Sequence, residues 1–239
     1  ILDIHGLGYW SASCHADLSV DDKEAQDPKS ISPSCSWVPA MVRRRLSRLT
    51  KMALEVCDKA LEGQEEKPTY AVFCSRHGEL NRTVTLLSCL ARDEPLSPML
   101  FAQSVHNTAS GLFGITNKCT IPTTSISARY NLVESGWIES YAYLCSHPDS
   151  TVLLVVFDEI VPEIYHDVVP PGVDLAYALL LRVHSSTSKV PTLSLRHNSQ
   201  ASKGTEAASP FDIALVDLIR TGRQGECYTP DSQYIWQRH

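Results

Sequence analysis

Two stretches of the sequence concentrate side chains that could support chemistry. Residues 75–79, Ser-Arg-His-Gly-Glu, place a hydroxyl, two basic groups and a carboxylate directly after a predicted buried strand. Residues 97–130 contain His106 and end at Tyr130, in a predicted strand-to-helix turn of the kind that presents a nucleophile at a helix N-terminus. Nucleophilic catalysis also requires a base that a third group holds in place. The first stretch is therefore a candidate catalytic cluster, and the second has the layout of a nucleophile site.

The cluster at residues 75–79 is better explained as structure than as a catalytic triad. Neighbouring loop residues point in different directions, so five consecutive residues rarely assemble a triad. We therefore expect a rigid turn whose arginine and glutamate support neighbouring loops. His106 and Asn107 lie in a predicted helix over residues 99–116 that is rich in small residues. This context favours a structural, hydrogen-bonded histidine in a tight interface.

Three further side chains are conceivable nucleophiles. Cys119 follows Lys118, which could activate its thiol, although buried free thiols are more common than reactive ones. Ser125 and Ser127 alternate along a predicted strand, and no G-x-S-x-G motif surrounds them. A stand-alone acyl-transfer or hydrolytic enzyme that uses Cys119 or a serine therefore remains an alternative.

Cofactor and metal motifs are absent from the sequence. It contains no P-loop, no dinucleotide fingerprint and no H-E-x-x-H motif. None of the eight cysteines forms a C-x-x-C pair, so a zinc site has little support. We therefore expect neither a cofactor nor a metal. Cysteines within apolar segments indicate a reducing compartment, which predicts a cytoplasmic protein.

A dense group of basic residues precedes these candidate sites. Arg43, Arg44, Arg45 and Arg48 fall within a predicted helix that begins at Pro39. One interpretation is a docking patch for an acidic partner or a phosphate group. The other is a solvated helix face with some internal ion pairs, as is usual for charge runs.

Composition limits the class of protein. The chain has 239 residues, 43% of them hydrophobic, which suits one medium-sized α/β domain with a substantial core. The formal net charge of −6 argues against a general nucleic-acid binder. Residues 152–157 form the longest purely apolar run, far below the roughly 18 residues of a membrane span. We therefore predict that the protein does not bind nucleic acid and has no membrane span.

The predicted elements alternate between strand and helix. This alternation predicts an α/β fold with a mostly parallel central sheet flanked by helices. The carboxyl ends of its strands would bring residues 75–79, 129–130 and 158–159 to one side. We predict strands at residues 2–9, 69–74, 123–128, 150–158, 174–183 and 190–195, and helices at residues 39–61, 80–92, 99–116, 131–146 and 211–220.

The C-terminal part differs in composition from the rest. Residues 197–209 are polar and predicted to be mobile, and residues 224–239 lack a clear pattern and are predicted to be irregular. We therefore divide the chain into a domain at residues 1–196 and a segment at residues 197–239 that holds a polar loop, a short helix and a tail.

Four segments together resemble a known family. PAMVRRRLSRLTKMAL, VFCSRHGEL, LSPMLFAQSVHNTASGLFGI and LLVVFDE are similar to the short β-ketoacyl synthase-like proteins, which correspond to the N-terminal half of the condensing enzymes. This family includes chain-length-factor-like subunits of aryl polyene pathways. The resemblance covers most of residues 1–196 and implies a thiolase-like half-fold.

The resemblance also assigns a position to the family's catalytic cysteine. Counted without gaps from Asn107, residues Gly111, Ile115 and Pro122 match the family pattern, and the cysteine position falls on Tyr130. A phenol with a pKa of about 10 is a poor acyl carrier. The family's two catalytic-histidine motifs do not occur in the sequence, where His184 and His197 stand in other contexts. The resemblance therefore implies a subunit that is not itself catalytic.

A non-catalytic family member implies a partner. In the family, the strand before the cysteine pairs across a two-fold or pseudo-two-fold axis, and that strand corresponds here to residues 123–128. We therefore expect a heterodimer with an active β-ketoacyl synthase, with acyl carrier protein binding through the complex. A binding module whose helix at Arg43–Lys51 docks acyl carrier protein, without any tunnel role, is a further alternative. The expected tunnel or interface residues are Tyr130, Ser75, Arg76, His77, His106, Asn107, Phe113, Thr124 and Ile126, and the expected carrier-docking residues are Arg43, Arg44, Arg45 and Arg48.

Overall fold

The computed structural model describes residues 2–11, 31–129, 131–185, 192–198, 225–229 and 232–238. These residues contain eight strands, six α-helices and one short 3-10 turn at Glu163–Tyr165. The elements are β1 (Leu2–Ser11), α1 (Ala40–Arg43), α2 (Arg48–Leu61), β2 (Tyr70–Cys74), α3 (Leu80–Ala91), α4 (Pro98–Ala102), α5 (Thr108–Asn117), β3 (Thr123–Ile126), α6 (Leu132–Ser146), β4 (Val152–Asp158), β5 (Leu175–Val183), β6 (Thr192–Asn198), β7 (Gly225–Thr229) and β8 (Ser232–Arg238).

The strands form a single sheet in the order β3-β2-β4-β5-β1-β6-β8-β7. The predicted α/β class is confirmed, but the prediction of a mostly parallel sheet is wrong. Only β2 runs parallel to its two neighbours, β3 and β4, and the other described pairs are antiparallel. Parallel neighbours need a long crossover, usually helical. Helices connect β2, β3 and β4, whereas β4 returns through an extended loop into antiparallel β5.

Helices cover both faces of the sheet. α2 and α5 pack with Phe73, Leu153 and Phe157 on one face, and α6 packs with Val72 and Leu154 on the other. This explains why β4 is apolar along its length, since a strand covered on both faces has no polar side. Gly8 of β1 allows α2 to approach closely, because a Cβ atom there would lie 1.9 Å from the carbonyl oxygen of Val56.

Two predicted helices are each broken in the structure. The helix predicted over residues 39–61 divides into α1 and α2, because Ser47 caps α2 by accepting a hydrogen bond from the backbone N–H of Thr50 at 2.9 Å. The helix predicted over residues 99–116 divides into α4 and α5. His106 and Asn107 therefore lie in the connecting turn. The sequence pattern predicts a helix at these two residues, and that prediction is wrong.

The prediction that residues 224–239 are irregular is also wrong. β7 and β8 form an antiparallel pair that joins the sheet beside β6. Their sequences, GECYT and SQYIWQR, contain the aromatic and β-branched residues that favour strands. The boundary proposed at residue 196 falls within β6, and the division of the chain there stays a prediction. The predicted mobile segment beyond residue 198 and the helix at 211–220 lie outside the described residues.

Candidate functional site

The turn after β2 is held by a carboxylate at the end of the neighbouring strand. Asp158 ends β4, and its Oδ1 accepts hydrogen bonds from the hydroxyl of Ser75 and from the backbone N–H of Arg76, both at 2.9 Å. The Ser75 hydroxyl in turn accepts a bond from the N–H of Gly78 at 2.8 Å. The adjacent carboxyl ends of β2 and β4 thus produce a rigid turn at residues 75–79, as predicted.

His106 locks the same turn from the other side. Its Nε2 donates a hydrogen bond to the carbonyl oxygen of Ser75 at 2.7 Å. Gly78 adopts a φ of +55°, and a Cβ atom there would lie 2.8 Å from the ring carbon Cδ2 of His106. Glycine is thus required both by the backbone conformation and by the close approach of the ring. The prediction of a structural, hydrogen-bonded histidine is confirmed.

Glu79 connects the turn to the start of α2. Its Oε1 accepts hydrogen bonds from the hydroxyls of Ser47 at 2.6 Å and Thr50 at 2.7 Å, and Arg82 lies 3.5 Å from its other oxygen. The carboxylate is buried, so these donors replace the water it loses. The glutamate therefore supports a neighbouring element as predicted, whereas no such bond of the Arg76 side chain appears in the described part of the chain.

A cleft opens beside this turn at the carboxyl ends of β2 and β4. It is shallow and partly open to solvent, and it is lined by Arg76, His77, Val156, Asp158, Glu159, Val161, Pro170, Gly172, Val173 and Leu175. The lining mixes charged side chains with apolar ones.

The ionisable groups of the cleft are shifted by burial. Burial raises the pKa of Asp158 to about 6, although its hydrogen-bond donors act in the opposite direction. Burial also raises the pKa of Glu159, against the effects of Asn81 and Arg48. The pKa of His77 is lowered by burial and, to a smaller extent, by the charge of Arg76.

β3 lies at the edge of the sheet, next to β2. Ala71 and Ser75 of β2 donate to the carbonyl oxygens of Pro122 and Ile126, so alternate residues of β3 point their backbone groups towards β2. The backbone groups of Ser125 consequently point away from the sheet, towards the open edge. The Ser125 hydroxyl lies 3.2 Å from the Ser110 hydroxyl of α5.

A sharp turn follows β3, as the sequence predicted. Asn131 adopts the left-handed conformation with a φ of +56°, directly before α6 begins at Leu132. Asparagine is among the few residues that enter this region readily. Tyr130 itself lies outside the described residues, so the expectation that it occupies a nucleophile's position rests on the sequence count.

Comparison with known proteins identifies the family. The family model described as β-ketoacyl synthase, N-terminal domain, matches residues 14–237. The chain belongs to this family. The resemblance inferred from four short motifs is thereby confirmed, and the match extends to β7 and β8, beyond the part of the chain that the motifs covered.

Solved structures of ketosynthases and chain length factors share the fold. A chain from the complex of the ketosynthase ApeO with its chain length factor ApeC, from Xenorhabdus doucetiae, is 28% identical with a TM-score of 0.76, over 99% of both chains. The ishigamide ketosynthase/chain length factor matches at 15% identity and a TM-score of 0.59, over 92% of this chain and 73% of that chain. A β-ketoacyl synthase from Burkholderia phymatum matches at 12% identity and a TM-score of 0.59, over 83% and 64%. No curated protein matches the sequence.

Several predicted tunnel or interface residues of this ketosynthase-family chain have clear positions. Thr124 and Ile126 face α6, where the Thr124 hydroxyl is bonded to Tyr70 and the Ile126 side chain packs on the core. Asn107 is exposed and precedes α5 without capping it through its side chain. Phe113 is a correction: its side chain is buried in the core against Phe73, with ring centroids 5.6 Å apart, because α5 packs against the sheet. It therefore cannot form part of a surface.

The four arginines do not form one patch. Arg44 and Arg45 are exposed, whereas Arg43 donates to the carbonyl oxygens of Cys35 and Ser36 at 3.4 and 3.1 Å. Arg48 points inward and pairs with Glu159 and Asp174, so the prediction that it docks a carrier protein is wrong. The break between α1 and α2 turns Arg48 to a different side from its neighbours.

The alternative nucleophiles lack a catalytic arrangement. Cys119 is half-buried against the core, and within the described residues the Ser125 hydroxyl contacts only the hydroxyl of Ser110. Ser127 donates to the carbonyl oxygen of Arg76 at 2.9 Å. No base of the described residues bonds to any of the three. Within the same residues no cluster of His, Cys, Asp and Glu could hold a metal ion, and no helix is long and apolar enough to cross a membrane.

One buried ionisable residue escaped sequence analysis. Glu134 lies in the first turn of α6, and its Oε1 is buried without a hydrogen-bond partner among the described residues. Burial raises the pKa of this carboxyl to about 7. From the sequence, a glutamate in the first turn of a helix is normally interpreted as an exposed residue that complements the helix dipole. The apolar residues in the sequence of α6 do not indicate which face of this helix is buried.

Replacing Glu134 with glutamine is expected to remove a pH dependence of stability. A carboxyl whose pKa is raised from 4.5 to about 7 in the folded state stabilises the fold at low pH, and this contribution is lost as the pH rises from 4.5 to about 7. Between pH 4.5 and about 7, the free energy of unfolding of the variant should therefore rise relative to that of the wild type by up to about 3 kcal/mol, because each pKa unit corresponds to about 1.4 kcal/mol. Urea unfolding at several pH values measures the difference.

The exposed Glu163 provides a matched control. Glu163→Gln makes the same chemical change on the surface, where single substitutions usually change stability by less than about 0.5 kcal/mol. A Glu134→Gln profile parallel to that of the wild type would show that Glu134 is not buried as an uncharged carboxyl.

Proposed function

We propose that the chain is a non-catalytic, chain-length-factor-like subunit that pairs with an active β-ketoacyl synthase in polyketide-type, polyene or fatty-acid-type chain elongation. The observation that carries this proposal is the match, over 99% of both chains, to a chain from the ApeO–ApeC complex. A match over nearly the whole of both chains favours a protein of the same domain organisation, and the two chains share the fold.

The position of Tyr130 supports a role without catalysis. The count from Asn107 puts this tyrosine where the family carries its cysteine. A thiolate holds an acyl group as a thioester, whereas a phenol with a pKa of about 10 is largely protonated and reacts poorly. We infer that Tyr130 acts as a wall of the acyl tunnel that the partner ketosynthase supplies.

The edge at β3 supports pairing with a partner. Ser125 directs its backbone groups to the open side, and the helices beside the strand expose apolar residues, with Ile115 of α5 68% exposed and Ile138 of α6 64% exposed. An open strand edge between apolar side chains promotes aggregation unless something covers it. A ketosynthase whose own edge strand pairs with β3 would cover both features.

Neighbouring residues are proposed to shape the tunnel and to meet the carrier protein. Ser75, Arg76 and His77 lie at the carboxyl ends of the strands, and we propose that their turn limits how far the chain extends. Acyl carrier protein would approach the exposed Arg44 and Arg45, which are free to meet an acidic surface.

Co-expression with a candidate partner ketosynthase tests the proposal. We expect a stable complex that elongates acyl chains, and we expect Tyr130→Ala to change the length or yield of its products because the wall becomes smaller. Native mass spectrometry measures the complex, and mass spectrometry of the products measures the chain length.

A matched variant and two outcomes make the test decisive. Tyr130→Phe removes only the phenol oxygen and should leave product length unchanged if Tyr130 acts by its volume. A stable monomer without any effect on a ketosynthase would contradict the proposed pairing. Acyl-thioester labelling of the isolated chain, abolished by Cys119→Ala, would instead support a stand-alone enzyme.

A further inference from the structure

The first turn of α6 carries the sequence of a helix cap that the structure does not form. Asn131 and Glu134 occupy the two positions of a capping box, in which each side chain accepts a hydrogen bond from the backbone N–H of the other residue. Asn131 instead adopts a φ of +56°, whereas a capping residue normally has an extended backbone, and its side chain makes no capping bond. The box is therefore open.

The open box leaves two buried oxygen atoms without a hydrogen-bond partner among the described residues. They are the Oδ1 of Asn131 and the Oε1 of Glu134, and Glu134 is only 4% exposed. A neutral carboxyl tolerates such a position far better than a carboxylate, which needs donors to replace the water it loses. Ionisation of Glu134 therefore requires a donor for Oε1, and the described residues offer it none while the box is open.

The charge of Glu134 depends on its burial. Burial raises the pKa of this carboxyl to about 7, and its own backbone N–H acts in the opposite direction. The titratable or charged side chains on the elements around this turn are Tyr70 and Cys74 of β2, Arg76 after β2, Asp158 at the end of β4, Tyr177 of β5 and Arg129 before the turn. None of them is a cause of the pKa shift. A new donor to Glu134 would therefore change its charge near neutral pH.

We propose that the start of α6 is a two-state switch that the proton on Glu134 controls. In the open state Glu134 is protonated and Asn131 is left-handed. In the closed state the carboxylate accepts from the N–H of Asn131, and the Oδ1 of Asn131 accepts from the N–H of Glu134. Asparagine suits both states, because it enters the left-handed region readily and is also a preferred capping residue. The helix dipole favours the carboxylate in this first turn.

The switch has a consequence for the residue that precedes it. Closure changes the backbone angles of Asn131 and so turns the chain at Tyr130. If Tyr130 is the wall of the partner's tunnel, the reach of that tunnel changes with pH. This consequence rests on the proposed function, whereas the two states of the turn do not.

Fluorine NMR of the chain labelled with fluorotryptophan tests the switch. Trp137 lies one turn after Glu134 and is buried, and Trp137→Phe assigns its signal. We expect this signal to change with a midpoint near pH 7, and we expect Glu134→Gln to abolish the change because glutamine does not ionise. Glu163→Gln, the same change at an exposed residue, should leave the midpoint where it is. If the chain purifies only with a ketosynthase, the labelled chain is measured in that complex.

Two substitutions of Asn131 separate a switch from simple ionisation. Asn131→Gly favours the left-handed state and removes Oδ1, so the midpoint should rise by at least about one pH unit, a tenfold change in the balance of the two states. Asn131→Ser favours an extended cap, so the midpoint should fall. Equal midpoints for these variants, a wild-type signal that does not change across pH 7, or a change that survives Glu134→Gln would overturn the inference. None of these results affects the proposed pairing, because the signal reports on the turn within this chain.

Discussion

Arg48→Ala is expected to lower the free energy of unfolding by about 3–5 kcal/mol, the cost of removing one partner from a buried ion pair. Arg48 lies 2.9 Å from Asp174 and 3.3 Å from Glu159. The Asp174 side chain is only 4% exposed, so the change would leave a buried carboxylate without its main counter-charge. Arg48 also donates to the carbonyl oxygen of Ile31 at 2.7 Å and stacks over Trp10.

The exposed Arg44 is the matched control for this prediction. Arg44→Ala removes the same group from the surface of the chain, where single substitutions usually change stability by less than about 0.5 kcal/mol. Urea unfolding of the wild type and both variants, in the same state of assembly, measures the difference. Equal effects of the two changes would show that Arg48 is a surface residue after all.

The contrast between these arginines shows what the sequence could and could not predict. Spacing alone puts Arg44 and Arg48 on one face of a continuous helix, so the sequence predicts a single basic patch. The hydroxyl of Ser47 ends that continuity, because it both caps α2 and donates to Glu79, which lies more than thirty residues further along the chain. A cap can be recognised locally, but a distant acceptor that fixes it cannot.

The sheet was predicted where its strands are buried on both faces. β4 is apolar from Val152 to Phe157, and this pattern identifies it without reference to neighbouring strands. The direction of β5 was not predictable in the same way, because direction depends on the connection and not on the strand itself. The pairing of β7 with β8 likewise depends on contacts within the sheet, which a short segment with weak alternation does not reveal.

The sequence predicted which residues lie together at the candidate site, but not the hydrogen bonds and close contacts between them. The carboxyl ends of β2 and β4 do bring Ser75 and Asp158 together, as the strand pattern implied. The close fit of His106 against Gly78 and the burial of Glu134 depend on packing between distant segments. Sequence spacing contains no information about either.

Ser125→Pro is expected to prevent stable pairing with a ketosynthase if β3 forms the interface. Proline has no N–H, and the Ser125 N–H points to the open edge and not to β2. The change therefore removes a donor from the proposed interface and places a ring against the partner strand, while the bonds between β2 and β3 remain. We expect the affinity to fall by about 10- to 100-fold, corresponding to about 1.4–2.8 kcal/mol.

Ser125→Ala separates the backbone from the side chain at this position. It removes the contact with the Ser110 hydroxyl but keeps the outward N–H, so pairing should change by less than about threefold. Circular dichroism of both variants establishes that each retains its secondary structure, and analytical ultracentrifugation with the ketosynthase measures the affinity. If the proline variant folds and still pairs like the alanine variant, β3 is not the strand that meets the partner. The exposed apolar residues of α5 and α6 would then have to pair through their side chains alone, since an edge strand that contributes to an interface cannot lose its donor without a measurable effect.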